Sequence, residues 1–147
     1  MNNIDATDEH IMTLLEQNAR QSSEMIAKQV NVSSATVRRR LKRLVNSDLL
    51  HIVAFRDPIK AGLPLAALIG LNIDHHLINS VMQAIRDWSE VVWACTTTGR
   101  FDAIVLVRFK SNEDFSLFLR TELTGITGIK DSETFLCLHV EKRGHLC

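Results

Sequence analysis

The sequence predicts an α+β chain in two parts: a three-helix, winged helix-turn-helix unit followed by a βαββαβ unit of the ferredoxin-like (ACT-like) kind. Three observations predict it. Apolar residues recur at helical spacing through the first fifty positions, five of the six positions 38–43 are cations, and beyond residue 64 the periodicity runs strand, helix, strand, strand, helix, strand. The boundaries that follow are 1–48 for the helical unit, 49–64 for a tether, and 65–147 for the mixed unit.

The first helix spans about 6–18, with Ile11, Leu14 and Leu15 inward and the acids Asp8 and Glu9 in the first turn, where the helix dipole favours them. The second begins at Ser22 or Ser23 and carries Met25, Ile26 and Val30. Asn31 breaks the pattern and Val32 plugs the core. Ser33 or Ser34 then caps a third helix, because a hydroxyl there can accept an otherwise unpaired backbone N–H. Projected at about 100° per residue, Val37, Leu41, Leu44 and Val45 share one side of this helix. Ala35, Thr36, Arg39, Lys42 and Arg43 lie opposite, with Arg38 and Arg40 on the flanks, where long stems can lie along the core and reach outward.

A small, hydroxyl-bearing first turn followed by arginines suits the major groove of DNA: short residues permit close approach, and guanidiniums reach guanine edges or phosphates. The candidate contact set is Ser34, Ala35, Thr36, Arg38, Arg39, Arg40, Lys42 and Arg43. A merely solvated face mixes signs for i,i+4 pairing, and no acid occurs within 38–43.

The run from Leu49 to Phe55 is strand-like and ends at Asp57-Pro58, with Gly62 and Pro64 marking a second boundary, so 49–64 reads as a wing or tether strand plus a turn. Next come a strand at Leu65–Ile73 and a helix marked by Leu77, Val81, Met82, Ile85 and Trp88. A strand at 91–98, a tight turn at Gly99-Arg100 and a strand at 101–109 follow. A helix over 112–123 turns Phe115, Phe118 and Leu119 inward, and a last strand covers 132–141. This order yields a four-stranded antiparallel sheet with both helices on one face. The strands are too apolar to leave the other face wet, and a second copy of the chain is the expected cover.

Composition sets the class. At 147 residues, 46% hydrophobic and 23% charged, with no net charge, the chain reads as a globular protein. Residues 1–50 hold seven Lys/Arg against six Asp/Glu, so the positive charge is local to one helix. A single copy would bind DNA modestly and in a salt-dependent way, and linked copies would compensate. No run is long enough for a membrane span and no signal peptide is evident, which points to the cytoplasm. Cys95, Cys137 and Cys147 lack metal-ligand spacing and read as free thiols, with a regulatory disulfide through Cys147 as the alternative. His75-His76 has no further ligand at i+4 and reads as a helix start. Trp88 and Trp93 read as core or interface anchors. No nucleophile and base, phosphate-cradling loop or metal set emerges, so neither catalysis nor a cofactor is expected.

Four motifs in order carry a family resemblance along essentially the whole chain. Ile4-Asp5-x-x-Asp8-x-x-Ile11-x-x-Leu14-Leu15, Val32-Ser33-x-x-Thr36-Val37-x-Arg39-Arg40-x-x-x-Leu44, Asp57-Pro58-x-x-x-Gly62 and Thr98-Gly99-Arg100-Phe101-Asp102 resemble, respectively, the opening helix, recognition helix, tether end and T-G-x-[YF]-D turn of the leucine-responsive regulator (Lrp/AsnC, feast/famine) family. The resemblance implies a DNA-binding transcription regulator that dimerises through its sheets, assembles into tetramers or octamers, and binds an amino acid near that turn. The family's glycine after the recognition helix is missing, so Asn46 or Asp48 must take a left-handed conformation.

At the turn, Gly99 lets a small molecule approach the backbone, Asp102 suits an ammonium and Arg100 a carboxylate. Thr98, Gly99, Arg100, Phe101, Asp102, Ser132, Glu133 and Thr134 form the candidate effector set. The alternative is a hairpin turn whose Asp caps amides, with a solvated edge strand at 132–134. The competing class is a haem-pathway decarboxylase of similar fold, which would have little reason to keep a dense arginine helix.

Overall fold

The computed structural model describes residues 4–141. The chain divides into two compact units between Ala54 and Phe55.

In the first unit, helices α1 (Ala6–Gln17), α2 (Ser23–Val30) and α3 (Ser34–Asn46) each begin at a side chain that satisfies an orphan amide. Asp5 accepts from the Asp8 N–H at 2.9 Å while the Asp8 carboxylate accepts from the Asp5 N–H at 3.2 Å, closing a capping box. Ser22 accepts from Met25 N–H and Ser33 from Thr36 N–H. Asn31 ends α2 at φ 55°, and Asp48 takes the left-handed position after α3 at φ 56°, where the family resemblance calls for glycine. The Leu49 N–H then bonds the Leu44 carbonyl at 3.1 Å. Ile11, Leu14, Leu15, Ile26, Ala27 and Val37 form the core, with Val30, Val32, Leu41 and Leu50 packed around it.

Two residues depart from the projected pattern. Met25 and Val45 are exposed, 55% and 41%. Val45 stands about 100° from Leu44, at the edge of a stripe narrower than the projection suggests. The wing or tether strand expected in 49–64 does not form. The segment has no strand, and Ile52, Val53 and Phe55 are exposed. An alternating apolar run becomes a strand only beside another strand, and this run has none alongside it.

The second unit contains β1 (Leu65–Ile73), α4 (Ile78–Arg86), β2 (Val91–Thr96), β3 (Ala103–Phe109), α5 (Asn112–Phe118) and β4 (Ile129–Leu136). The sheet is antiparallel throughout, in the order β2-β3-β1-β4. Alternation sends Ala67, Ile69, Leu71 and Ile73 of β1, with Ala103, Val105, Val107 and Phe109 of β3, toward Val81 and Ile85 of α4 and Phe118 of α5. Trp88 meets Phe118 edge-on at 4.9 Å, so it belongs to this core.

Element ends differ from expectation for local reasons. The helix expected over 112–123 gives way at Leu119–Leu123 to a π-helical turn. There the Thr121 and Thr124 hydroxyls donate to the carbonyls of Leu117 and Arg120, which weakens the ordinary helical ladder. The last strand starts at Ile129 instead of 132, immediately after Gly128 turns the chain at φ 108°. The β2–β3 connection is a loop over 97–102, held by Thr97 N–H to Asp102 O at 2.9 Å, wider than the tight turn read at Gly99-Arg100. His75 and His76 occupy a turn ahead of α4, and His76 N–H is taken by Asp74.

The face away from the helices carries Leu68, Trp93 and Phe135, all exposed, with Phe101 laid over Gly70. A Cβ at position 70 would stand 2.6 Å from the Phe101 ring. Gly70→Ala is therefore expected to destabilise the second unit by about 1–3 kcal/mol through overpacking, read as a lowered denaturation midpoint. An unchanged midpoint would show that the ring moves aside freely.

Candidate functional site

Small residues open α3. The Ser33 hydroxyl caps the first turn and lies 2.9 Å from the Thr36 hydroxyl, while Ala35 is exposed beside them. The cations that follow divide into two groups. Arg38 pairs with Glu24 of α2 at 3.0 Å and its Nη2 reaches Ser34 at 3.5 Å. Arg40 pairs with Asp5 at 2.6 Å and Asp8 at 2.9 Å, and Arg43 pairs with Asp8. Arg39 and Lys42 are exposed and enter no ion pair or hydrogen bond among the described residues. The eight residues of the candidate set thus share one helix without sharing one environment. Arg43 projects to the outward side but reaches across to α1.

The acids that pair with α3 come from α1 and α2, so a search for partners within 38–43 misses them. The available signal was Asp5-x-x-Asp8: two carboxylates at a helix start, one of them in a turn that also buries Ile11. Asp8 has no exposed surface. Burial alone would raise its pKa, but hydrogen bonds from Arg40, the Asp5 amide and Arg43 outweigh burial and hold it below the usual carboxylate value. Asp5 is lowered too, first by the Asp8 amide and then by Arg40, and Arg40 is raised by both carboxylates.

In the second unit the effector candidates fall on two sides of the sheet. The Asp102 carboxylate accepts the Ile73 N–H at 2.7 Å, and the Asp102 N–H bonds the Leu71 carbonyl at 2.8 Å, so this residue fastens the hairpin to the end of β1. Arg100 pairs with Glu133 of β4 and lies over the Phe101 ring, 5.1 Å from its centre. Phe101 meets Phe135 edge-on at 6.3 Å. Gly99 has φ 113° and open space where a Cβ would stand, and Thr98 is exposed beside it. Thr98 through Asp102 and Glu133 therefore form one neighbourhood. Ser132 and Thr134 alternate to the other face and line a separate cleft with Leu119 and Leu123. Among the described residues no group of three His, Cys, Asp or Glu is placed to hold a metal, and no helix is long and apolar enough to cross a membrane.

A capped, cation-bearing second helix in a helix-turn-helix, on a chain that also carries a four-stranded α+β unit, defines the class: a DNA-binding transcription regulator. The model of the AsnC-type helix-turn-helix domain matches residues 4–45, and that of the Lrp/AsnC ligand binding domain matches residues 66–146. The chain belongs to the Lrp/AsnC family.

It is 31% identical to an uncharacterized HTH-type transcriptional regulator of Pyrococcus furiosus, covering 95% of this chain and 94% of that one. It is 28% identical to the HTH-type transcriptional regulator Ptr1 of Methanocaldococcus jannaschii, covering 96% of each. Among solved structures it is similar to a Neisseria meningitidis transcriptional regulator in complex with L-Met, with TM-score 0.88, 25% identity, and 99% of this chain and 96% of that one covered. It shares its fold with E. coli AsnC, with TM-score 0.87, 24% identity and 97% of each chain covered.

The buried carboxylate generates a stability prediction. Asp8→Asn keeps the shape but removes the charge opposite two guanidiniums, and is expected to destabilise the helical unit by about 1.5–3 kcal/mol. Because the folded pKa is depressed, the ionised carboxylate contributes fully above the ordinary aspartate value of about 3.9. That contribution is lost as pH falls through the lower folded value. Denaturant melts should converge for the two proteins below that window. A constant gap at all pH values would show that the charge on Asp8 is not what holds the helices.

Proposed function

We propose that the chain is a sequence-specific, amino-acid-responsive transcription regulator that acts as a homo-oligomer in the cytoplasm, and not an enzyme. The observation that carries the reading is the division of charge on α3: its other cations are engaged with α1 and α2, while Arg39 and Lys42 stand exposed beside Ala35. Arg39 and Lys42 take the principal base or phosphate contacts. Ser34, Ala35 and Thr36 bring the helix start close to the groove, and Arg38, Arg40 and Arg43 add phosphate contacts from the flanks.

The hairpin 97–102 is the sensing element. An amino-acid carboxylate competes with Glu133 for Arg100, and the backbone at Gly99 is open to approach. The L-Met bound by the Neisseria relative supports an amino acid as the class of effector. Ser132 and Thr134 respond through β4 and do not join Glu133 directly, since they lie on the other face. The exposed Leu68, Trp93 and Phe135 favour a second copy over the open sheet face, and Ile52, Val53 and Phe55 favour strand pairing between tethers.

Selection of bound fragments from a random DNA library is expected to return paired half-sites about 34–36 Å apart, or a multiple of that. Arg39→Ala or Lys42→Ala should weaken the selected site by about 1–3 kcal/mol where the contact is to a base, with unchanged circular dichroism. Equal occupancy of unrelated sequences would defeat the specific-regulator reading. Titrating the protein–DNA complex with an amino-acid panel is expected to shift affinity for at least one member. Arg100→Ala should remove that shift, and a shift that survives the substitution would displace the sensor from the hairpin.

A further inference from the structure

The engaged cations of α3 are engaged in two different ways. Arg40 and Arg43 meet Asp8, which has no exposed surface, and those contacts hold α1 to α3. Arg38 meets Glu24 of α2 in water: Nη1 and Oε1 are 3.0 Å apart, and the two side chains are 59% and 61% exposed. An exposed pair of this kind adds little to folding stability, and α2 is already held to α3 by Ile26, Ala27 and Val37 in the core. Stability therefore does not account for an acid set against the cationic side of α3.

What the pair does is fix a direction. Arg38 Nη2 also reaches the Ser34 hydroxyl at 3.5 Å, so the guanidinium is touched at two points. Ser34 lies one turn earlier, about 5.4 Å toward the start of the helix, beside Ser33, Ala35 and Thr36. The guanidinium is thus drawn over the small-residue end of α3. Glu24 is itself fastened to the first turn of α2. Its carboxyl is held below the usual glutamate value, first by its own backbone N–H and the Ser22 hydroxyl, with Arg38 adding to both. An unheld arginine loses many rotamers when it makes a contact; one already held loses fewer, but reaches fewer phosphates.

We propose that Glu24 is a positioning residue for DNA discrimination: it holds Arg38 where one phosphate of a correctly seated duplex meets the guanidinium, and keeps Arg38 from phosphates elsewhere. Contacts to phosphate set register, so a held arginine favours one seating of the helix over others. The proposal rests on the reading of α3 as the DNA-contacting helix and adds to it a residue of α2.

The full chain tests it, titrated across a salt series against two duplexes of equal length, one recovered from the random library and one unrelated. Glu24→Gln keeps the side-chain shape and removes the charge. It should weaken the selected duplex about threefold to tenfold, because Arg38 must then be ordered on contact, and tighten the unrelated one. On the unrelated duplex the slope of log affinity against log salt should steepen by about 0.9 per bound copy, the effect of one more cation free to meet a phosphate. With Arg38→Ala already in place, Glu24→Gln should no longer move the two duplexes in opposite directions. Equal tightening on both duplexes would show that Glu24 only repels DNA, and would overturn the proposal. So would no change on either duplex, weakening on both with a lowered denaturation midpoint, or opposite shifts that persist without Arg38. If the wild-type chain bound both duplexes alike, the specific-regulator reading would fail by itself, and the salt slope of Glu24→Gln would still decide whether Glu24 restrains Arg38.

Discussion

The helical unit depends on one carboxylate that has no contact with water. A buried charge is tolerated only when its lone pairs are satisfied by donors of opposite sign, and Asp8 meets that condition with Arg40, Arg43 and the Asp5 amide. The same interaction fixes α1 against α3, because the donors sit on one helix and the acceptor on the other. It also sets what α3 can present. Arginines held at their tips by α1 are restricted in where they point, while Arg39 and Lys42 keep their full reach. A helix with five neighbouring cations is therefore less a uniform positive surface than a structural flank beside a short exposed ridge.

The second unit has a comparable division, produced by the alternation of strand side chains. One set of positions on β1 and β3 packs on α4 and α5; the other set meets Phe101, Phe135 and Trp93. Gly70 lies where the hairpin folds back, and the lack of a side chain there lets the Phe101 ring rest on β1. Asp102 completes the fastening through the Ile73 N–H, at the point where the β1–β4 register shifts. The hairpin is consequently anchored at its base and open at Gly99. Under the proposed sensing role, that combination would let the hairpin respond to a ligand without unfolding.

Periodicity made most of this architecture legible before any coordinates. Ile11, Leu14, Leu15 and Val37 at helical spacing, and the apolar run of β1, identify their elements because burial is what selects those residues. Ser22, Ser33 and Asn31 mark helix ends for equally local reasons. What stayed hidden is pairing between elements. Nothing within 38–43 indicates that Arg43 reaches Asp8, and nothing near 132–134 indicates that Glu133 faces Arg100 while Ser132 and Thr134 face away. The segment 49–64 shows the same limit from the other direction. Its alternation is genuine, but a strand is a property of two chains side by side, and the second is not supplied by this sequence's own fold.

The overall neutrality of the chain then acquires a physical sense. Each phosphate neutralised contributes to binding through counterion release, and a ridge of two unengaged cations neutralises few. Strengthening one copy would require more exposed arginines, which would raise affinity for every DNA sequence together and blur discrimination between sites. Joining copies raises affinity by a different route, since the second contact becomes intramolecular. It also adds a geometric demand that unrelated DNA does not meet. Under the proposed assembly, a sparse cationic ridge and an exposed apolar sheet face are complementary: the sheet supplies by association the strength that the ridge lacks. A ligand that alters how copies join can then alter DNA occupancy without touching α3.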